Sequence, residues 1–211
     1  MPSKIPNSVI GAVASVIAAH YYSHSKLDSL FMESGAPGDV PPGNCETLLA
    51  ITEYLAEAWP RVWPEDKVAR AWARCASAEM HSGFQRIRDI CTMNCGLRVR
   101  LSSEPAAFLA EWQRIDTLWN EGLRRFGGPF LAGARFCAVD AFLAPVAFRV
   151  QTYSPQLSAP AKAYAQTLLA LPPMQAWYAS ALAETWRDEP HEAEARQAGE
   201  WLNDYRANAA G

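Results

Sequence analysis

Apolar residues along most of this chain return every three or four positions, the spacing of one buried helix face. Leu48, Ile51 and Leu55, flanked by Ala50 and Tyr54, predict a helix from Glu46 to Trp59. Pro60 ends it, and Pro64 opens the next one with Glu65 and Asp66 in its first turn. Residues 66–92 carry Ala, Trp, Met, Phe and Ile without a proline and predict one long helix, ended by Asn94 and Gly96. Residues 103–126 predict another, with Pro105 near its start and Phe108, Trp112, Ile115, Trp119 and Leu123 on one stripe. Gly127, Gly128 and Pro129 break the chain. Further helices are expected over about 138–153 and from 159 to 171, where Pro172 and Pro173 interrupt. A last core helix carries Met174, Trp177, Leu182 and Trp186, and the charged, Ala-rich residues 187–211 read as an exposed terminal helix and tail. No strand alternation stands out after residue 20. Residues 23–45, rich in Ser, Gly and Pro, keep no period and read as loop.

Composition narrows the picture. Of 211 residues, 50% are hydrophobic, eight are Trp and 19% are charged, which supplies ample side chain for a core. The net charge of -3, without a basic cluster, argues against a nucleic-acid partner. Cys45, Cys75, Cys91, Cys95 and Cys137 form an odd set with no C-x-x-C, as expected of free thiols in a reducing cytoplasm. Cys91 and Cys95 share a helical spacing, but only His81 is near them in sequence, so no metal site is expected. Lys4 and the apolar run from Val9 to Ala19 resemble a secretion signal. The run is too short to span a bilayer as a helix. A structural or non-native segment is the expectation here, and an exported or membrane-associated protein is the competing one, requiring cleavage near Ala19.

Four segments, in order, carry a family resemblance. They are ETLLAITEYLAEAWPRVWPED from Glu46, AWARCASAEMHSGFQRIRDICTMNC from Ala71, GGPFLAGARFCAVDAFLAPV from Gly127, and YAQTLLALPPMQAWYASALAE from Tyr164. Together, over roughly residues 46–190, they resemble bacterial glutathione S-transferases. The resemblance implies a mainly α fold, with an all-α C-terminal domain over 61–211. Ahead of it, residues 46–60 would form the last helix of a thioredoxin-like domain, and residues 1–45 an irregular remnant of, or replacement for, the rest. Truncation or an altered reading frame upstream of Glu46 is the expected cause.

The resemblance also assigns residues. An acidic residue followed by Ser or Thr opens this helix in the family and holds the γ-glutamyl end of glutathione, which maps to Glu46 and Thr47. The chemistry suits the place, because a helix start offers unpaired N–H groups and positive dipole to a carboxylate. From the residues alone, the same pair simply begins and caps a helix. Leu48 and Leu49 put one more residue after the hydroxyl than the family usually has, which turns a helix face by about 100°. Ile5 and Pro6 resemble the family's cis-proline segment, whose backbone pairs with the cysteinyl part of glutathione.

Ser77, His81, Phe84 and Arg88, at i, i+4, i+7 and i+11, would share one face of the long helix and, with Met80, line a pocket for an electrophile. Interdomain contact or a hydrogen-bonded core is the other reading of that face. Arg149 and Tyr153 are candidates to reach the same pocket from a later helix. Asn94 is expected to cap the helix end. Cys137 and Asp140 resemble the family's buried capping box and concern folding, not catalysis.

The expected protein therefore uses glutathione as co-substrate, needs no metal, and directs a glutathione thiolate at a small electrophile, with weak or lost activity because the unit that normally activates the thiol is missing. A homodimer and a cytoplasmic location follow from the family. The alternative is a non-enzymatic interaction module built on the same helical domain.

Overall fold

The computed structural model describes residues 44–207, with side chains from Leu49 onward. The fold is mainly helical. Helix α1 spans Asn44–Ala58, a 3-10 turn Pro60–Val62, α2 Lys67–Ser82 and α3 Gln85–Ile90. Strand β1 (Leu97–Leu101) precedes α4 (Ala106–Phe126), α5 (Ala138–Tyr153), α6 (Ala159–Leu169), α7 (Pro172–Ala183) and α8 (Glu189–Ala198), and strand β2 (Gly199–Asp204) closes the order.

The predicted helices are recovered with three corrections. The long helix expected over 66–92 is two. It starts after Asp66, whose carboxylate caps it by accepting the Ala69 N–H at 2.7 Å. It stops at Ser82, where the Gly83 N–H closes on the Glu79 carbonyl and Phe84 turns left-handed at φ 60°. Pro172 and Pro173 do not interrupt a helix but begin α7, where a missing N–H costs nothing. That helix ends at Ala183, so Trp186 lies beyond it and is exposed. The chain after 187 is not only helix and tail. β2 pairs antiparallel with β1 in the register Val99↔Trp201 and Leu101↔Gly199, with a bulge between Arg98 and Val99.

The described residues form two compact units. The first joins 44–83 to 122–143. In it, Arg74 makes a two-pronged pair with Glu53, at 2.8 and 2.6 Å, that ties α2 to α1. Trp63, buried to 2% exposure, lies under the Arg74 guanidinium. Trp72 packs on Phe126, and a β-carbon at Gly122 would stand 2.5 Å from the Trp72 ring and 2.7 Å from the Leu131 carbonyl, so only glycine allows that approach.

The second unit joins 84–121 to 144–207. The stripe expected on α4 is its core face, with Phe108, Trp112, Ile115 and Trp119 all buried and Leu123 partly so. Trp119 meets Tyr164 of α6 edge-on at 4.9 Å. Phe148 of α5 meets Trp177 of α7 the same way at 4.8 Å, and these pack with Cys95, Ala144 and Met174. Helix α5 is buried on every side from Ala138 to Arg149, with Asp140 and Arg149 among the buried residues. No helix among the described residues is long and apolar enough to cross a membrane.

Candidate functional site

Glu46 and Thr47 fall in the first turn of α1, which begins two residues earlier than the sequence pattern suggests, at Asn44. They stand among the first four residues of the helix, whose N–H groups have no intrahelical partner. Their side chains, like Ile5 and Pro6, lie outside the described residues.

The five residues expected around a pocket do not form one helical face, because the helix that would carry them ends at Ser82. Ser77 and Met80 are buried in α2, at 0% and 4% exposure, and His81 is half-buried one turn after Ser77. The Ser77 hydroxyl is a buried polar atom with no hydrogen-bond partner among the described residues. Phe84, buried and left-handed, is the N-cap of α3, and Arg88 sits in the last turn of that helix. The left-handed backbone costs a bulky residue on the order of 1–3 kcal/mol and persists because the surroundings determine it.

What holds α3 is Glu111 of α4. Its carboxylate accepts the Arg86 N–H at 3.1 Å and the Ile87 N–H at 2.9 Å, capping a six-residue helix from outside. A negative group suits that end of the helix dipole.

Arg149 and Tyr153 have hydrogen bonds of their own to the backbone that follows α3. With Gln151 and Thr152 they fasten the turn after α3 to the end of α5. Arg149, 2% exposed, donates from Nε to the Cys91 carbonyl at 2.7 Å. The Tyr153 hydroxyl donates to the Thr92 carbonyl at 3.0 Å, Thr152 Oγ1 to the Asn94 carbonyl at 2.5 Å, and Gln151 to the Cys95 carbonyl at 3.4 Å. Asn94 does not cap the preceding helix. Its side-chain oxygen accepts the Gly96 and Leu97 N–H groups and turns the chain into β1. Cys91 and Thr92 are buried residues, where a backbone carbonyl without a donor is costly.

The electrostatics of this turn suit structure rather than covalent catalysis. Burial pushes the Cys91 and Cys95 thiols up to about 12, against the partial relief given by the Arg149 charge. Burial likewise pushes the Tyr153 phenol up to about 12. Cys137 is raised too, by burial first and by Asp140 second. Such thiols stay protonated at neutral pH and are poor nucleophiles. Among the described residues no group of three or more His, Cys, Asp or Glu is placed to hold a metal ion.

The Cys137–Asp140 pattern forms the expected cap. Asp140, fully buried, accepts the Cys137 N–H at 2.9 Å and the Leu131 N–H at 3.0 Å. One carboxylate thus closes the start of α5 and pins the loop before it.

The model of the glutathione S-transferase C-terminal domain matches residues 102–180, from the end of β1 through most of α7. The match contains α4, α5, α6 and the Asp140 cap, and leaves out α1–α3, β1, α8 and β2. No curated protein matches the chain. Residues 102–180 are thus similar to a glutathione S-transferase C-terminal domain, and the mostly helical fold is consistent with that all-α architecture.

Three of the anchoring residues escaped the sequence reading. Glu111 works 24 and 25 residues from its donors. Asp116 accepts the Ser158 N–H at the start of α6 across 42 positions, at 2.7 Å. Glu192 receives Arg206 from β2's far side, at 2.5 and 2.9 Å. Only the last pair left a local trace, an isolated Arg among small residues near the chain's end.

Proposed function

We propose that this protein is glutathione transferase-like, holding glutathione by its γ-glutamyl end at the start of α1 and, when active, directing its thiolate at a small electrophile. The observation that carries the reading is the match of residues 102–180 to the glutathione S-transferase C-terminal domain, with the Asp140 cap inside it. In this reading Thr47 gives a hydroxyl and the α1 start gives N–H groups to the ligand's α-carboxylate, while Glu46 suits its α-ammonium. The Ile5-Pro6 backbone pairs with the cysteinyl part, and Ser77, Met80 and His81 of α2 serve the electrophile. No residue of this chain is assigned the thiol-activating role, so slow conjugation is the expectation. A homodimer and a cytoplasmic location belong to the same proposal.

The test is calorimetric titration of the full chain with reduced glutathione, alongside Thr47→Ala. Saturable binding that Thr47→Ala abolishes supports the reading. A folded, helical protein that takes up no glutathione overturns it and turns attention to a non-enzymatic interaction module.

A further inference from the structure

Arg74 of α2 grips Glu53 of α1 with two N–H bonds, one from Nε at 2.8 Å and one from Nη2 at 2.6 Å. A fork of this kind fixes direction as well as distance. The guanidinium also lies over the Trp63 ring, 5.4 Å from its centre, and Trp63 is buried. Both charged side chains are close to half exposed, and a pair so exposed adds little to stability. What it fixes is the register of two helices. Residues 59–66 join α1 to α2, and the tie falls five residues before the end of α1 and seven after the start of α2. Contact at matched distances from a short connection is that of antiparallel neighbours. Thr47 lies six residues further from the connection along α1, and His81 seven further along α2. At the helical rise both steps are roughly 10 Å. Ser77 and His81 also share the Arg74 face of α2, at i+3 and i+7, and the bond to Glu53 turns that face toward α1. Ser77 brings to it a buried hydroxyl with no partner among the described residues. All of these residues belong to the first unit.

We propose that Arg74 and Glu53 are a positioning pair, which sets the start of α1 level with Ser77 and His81 and so sets where an electrophile stands against bound glutathione. The inference rests on the reading above, with glutathione at the start of α1 and the electrophile at α2. Arg74 touches neither ligand and acts through the two helices it joins. A group that holds two binding parts in register strengthens a ligand that spans both, and does little for a ligand that uses only one. The fork and the ring beneath it make arginine the suitable residue, since lysine offers neither the planar pair of donors nor the same stacking.

The test is calorimetric titration of the full chain with two probes, glutathione and S-benzylglutathione, whose benzyl group stands for the electrophile. The quantity read is the ratio of the two dissociation constants. The wild-type chain is expected to bind S-benzylglutathione about fivefold tighter or more, the scale of a benzyl group taken partly out of water. Glu53→Ala and Arg74→Ala are each expected to lower that preference about threefold, the scale of one exposed ion pair, while glutathione alone binds within about twofold of wild type. The double variant is expected to lose no more than either single one, because the two residues act as one tie. Both positions are half exposed, so the helical circular dichroism is expected to stay that of wild type. A pair that serves stability alone would lower the unfolding midpoint and leave the ratio unchanged, and that outcome overturns the proposal. Additive losses in the double variant, or a wild-type ratio near one, overturn it as well. A wild-type chain that binds no glutathione overturns this proposal together with the reading on which it rests, whereas binding with a ratio that the variants leave unchanged overturns the positioning pair alone.

Discussion

Arg206 lies over Gly96 so closely that a β-carbon on residue 96 would stand 2.3 Å from the arginine Cγ and 3.0 Å from its Cδ. The guanidinium beyond is clasped. It pairs with Glu192 at 2.5 and 2.9 Å and with Asp204 at 2.8 and 2.7 Å, and stacks on the Trp201 ring. The side chains of Arg206 and Glu192 are 8% and 7% exposed. The last strand is therefore held by a buried ion pair and by a glycine that leaves room for it, as well as by the β1–β2 ladder.

Removing the arginine leaves Glu192 buried without a partner, which costs about 3–5 kcal/mol. Arg206→Met is expected to lose that much in urea unfolding. Glu192→Met placed on top should recover most of it, because the uncompensated charge is gone. Gly96→Ala forces Arg206 or the backbone to move, with an expected loss of about 1–3 kcal/mol. A wild-type midpoint in Gly96→Ala would show that the arginine is not held where the structure has it.

Asp140 closes the start of α5 by accepting two buried N–H groups. Asp140→Ala strands both, at about 1–3 kcal/mol each. The expected outcome is a loss of several kcal/mol, or failure to accumulate as folded protein. Cys137 is the informative partner. A thiol is a weaker cap than a hydroxyl, so Cys137→Ser is expected to gain about 0.5–1 kcal/mol. Thermal unfolding of the two variants checks both signs.

The helices of the second unit were legible because their apolar faces are long. Phe108, Trp112, Ile115 and Trp119 mark one face of α4, and residues 141–148 of α5 show up as an uninterrupted apolar run. The break after Ser82 was not legible, since Phe84 and Gln85 continue the helical pattern and the cap for α3 comes from Glu111, far along the chain. The strand β1 did leave a trace. Leu97, Val99 and Leu101 alternate with Arg98 and Arg100 in the period of a strand, but five residues are too few to outweigh the helical context. β2 has no alternation, and only pairing with β1 makes it a strand. The expected pocket face failed for the same reason as the long helix. Spacing places residues on one face only while the helix lasts.

The raised thiols predict an alkaline loss of stability. Burial holds Cys91, Cys95 and Cys137 above the usual thiol range in the folded chain, and Tyr153 above the usual phenol range. The unfolded chain releases these protons from about pH 8.5 upward for thiols and about 10 for the phenol, while the folded chain keeps them. Folded protein then binds more protons than unfolded, so stability falls as pH rises, beginning near pH 9 and continuing to about 12. Urea midpoints measured between neutral pH and pH 10 should decline. In the same conditions the exposed Cys75 is expected to react with a maleimide while Cys91, Cys95 and Cys137 do so only on unfolding, as peptide mapping would show.

Glu111 reaches α3 with both carboxylate oxygens, and α3 is too short to persist alone. Glu111→Ala is expected to cost about 1–2 kcal/mol, the scale of a lost N-cap. The loss should be local first, because the turn after α3 is fastened separately by Arg149, Thr152 and Tyr153. Hydrogen exchange is the measurement that separates the two anchors. In Glu111→Ala the amides of Arg86 and Ile87 should exchange faster while those of α5 stay protected. Glu111→Gln keeps acceptor geometry for one N–H and loses the charge, so an intermediate effect is expected. Unchanged exchange at Ile87 in both variants would mean that Phe84, buried and left-handed, sets the start of α3 by itself.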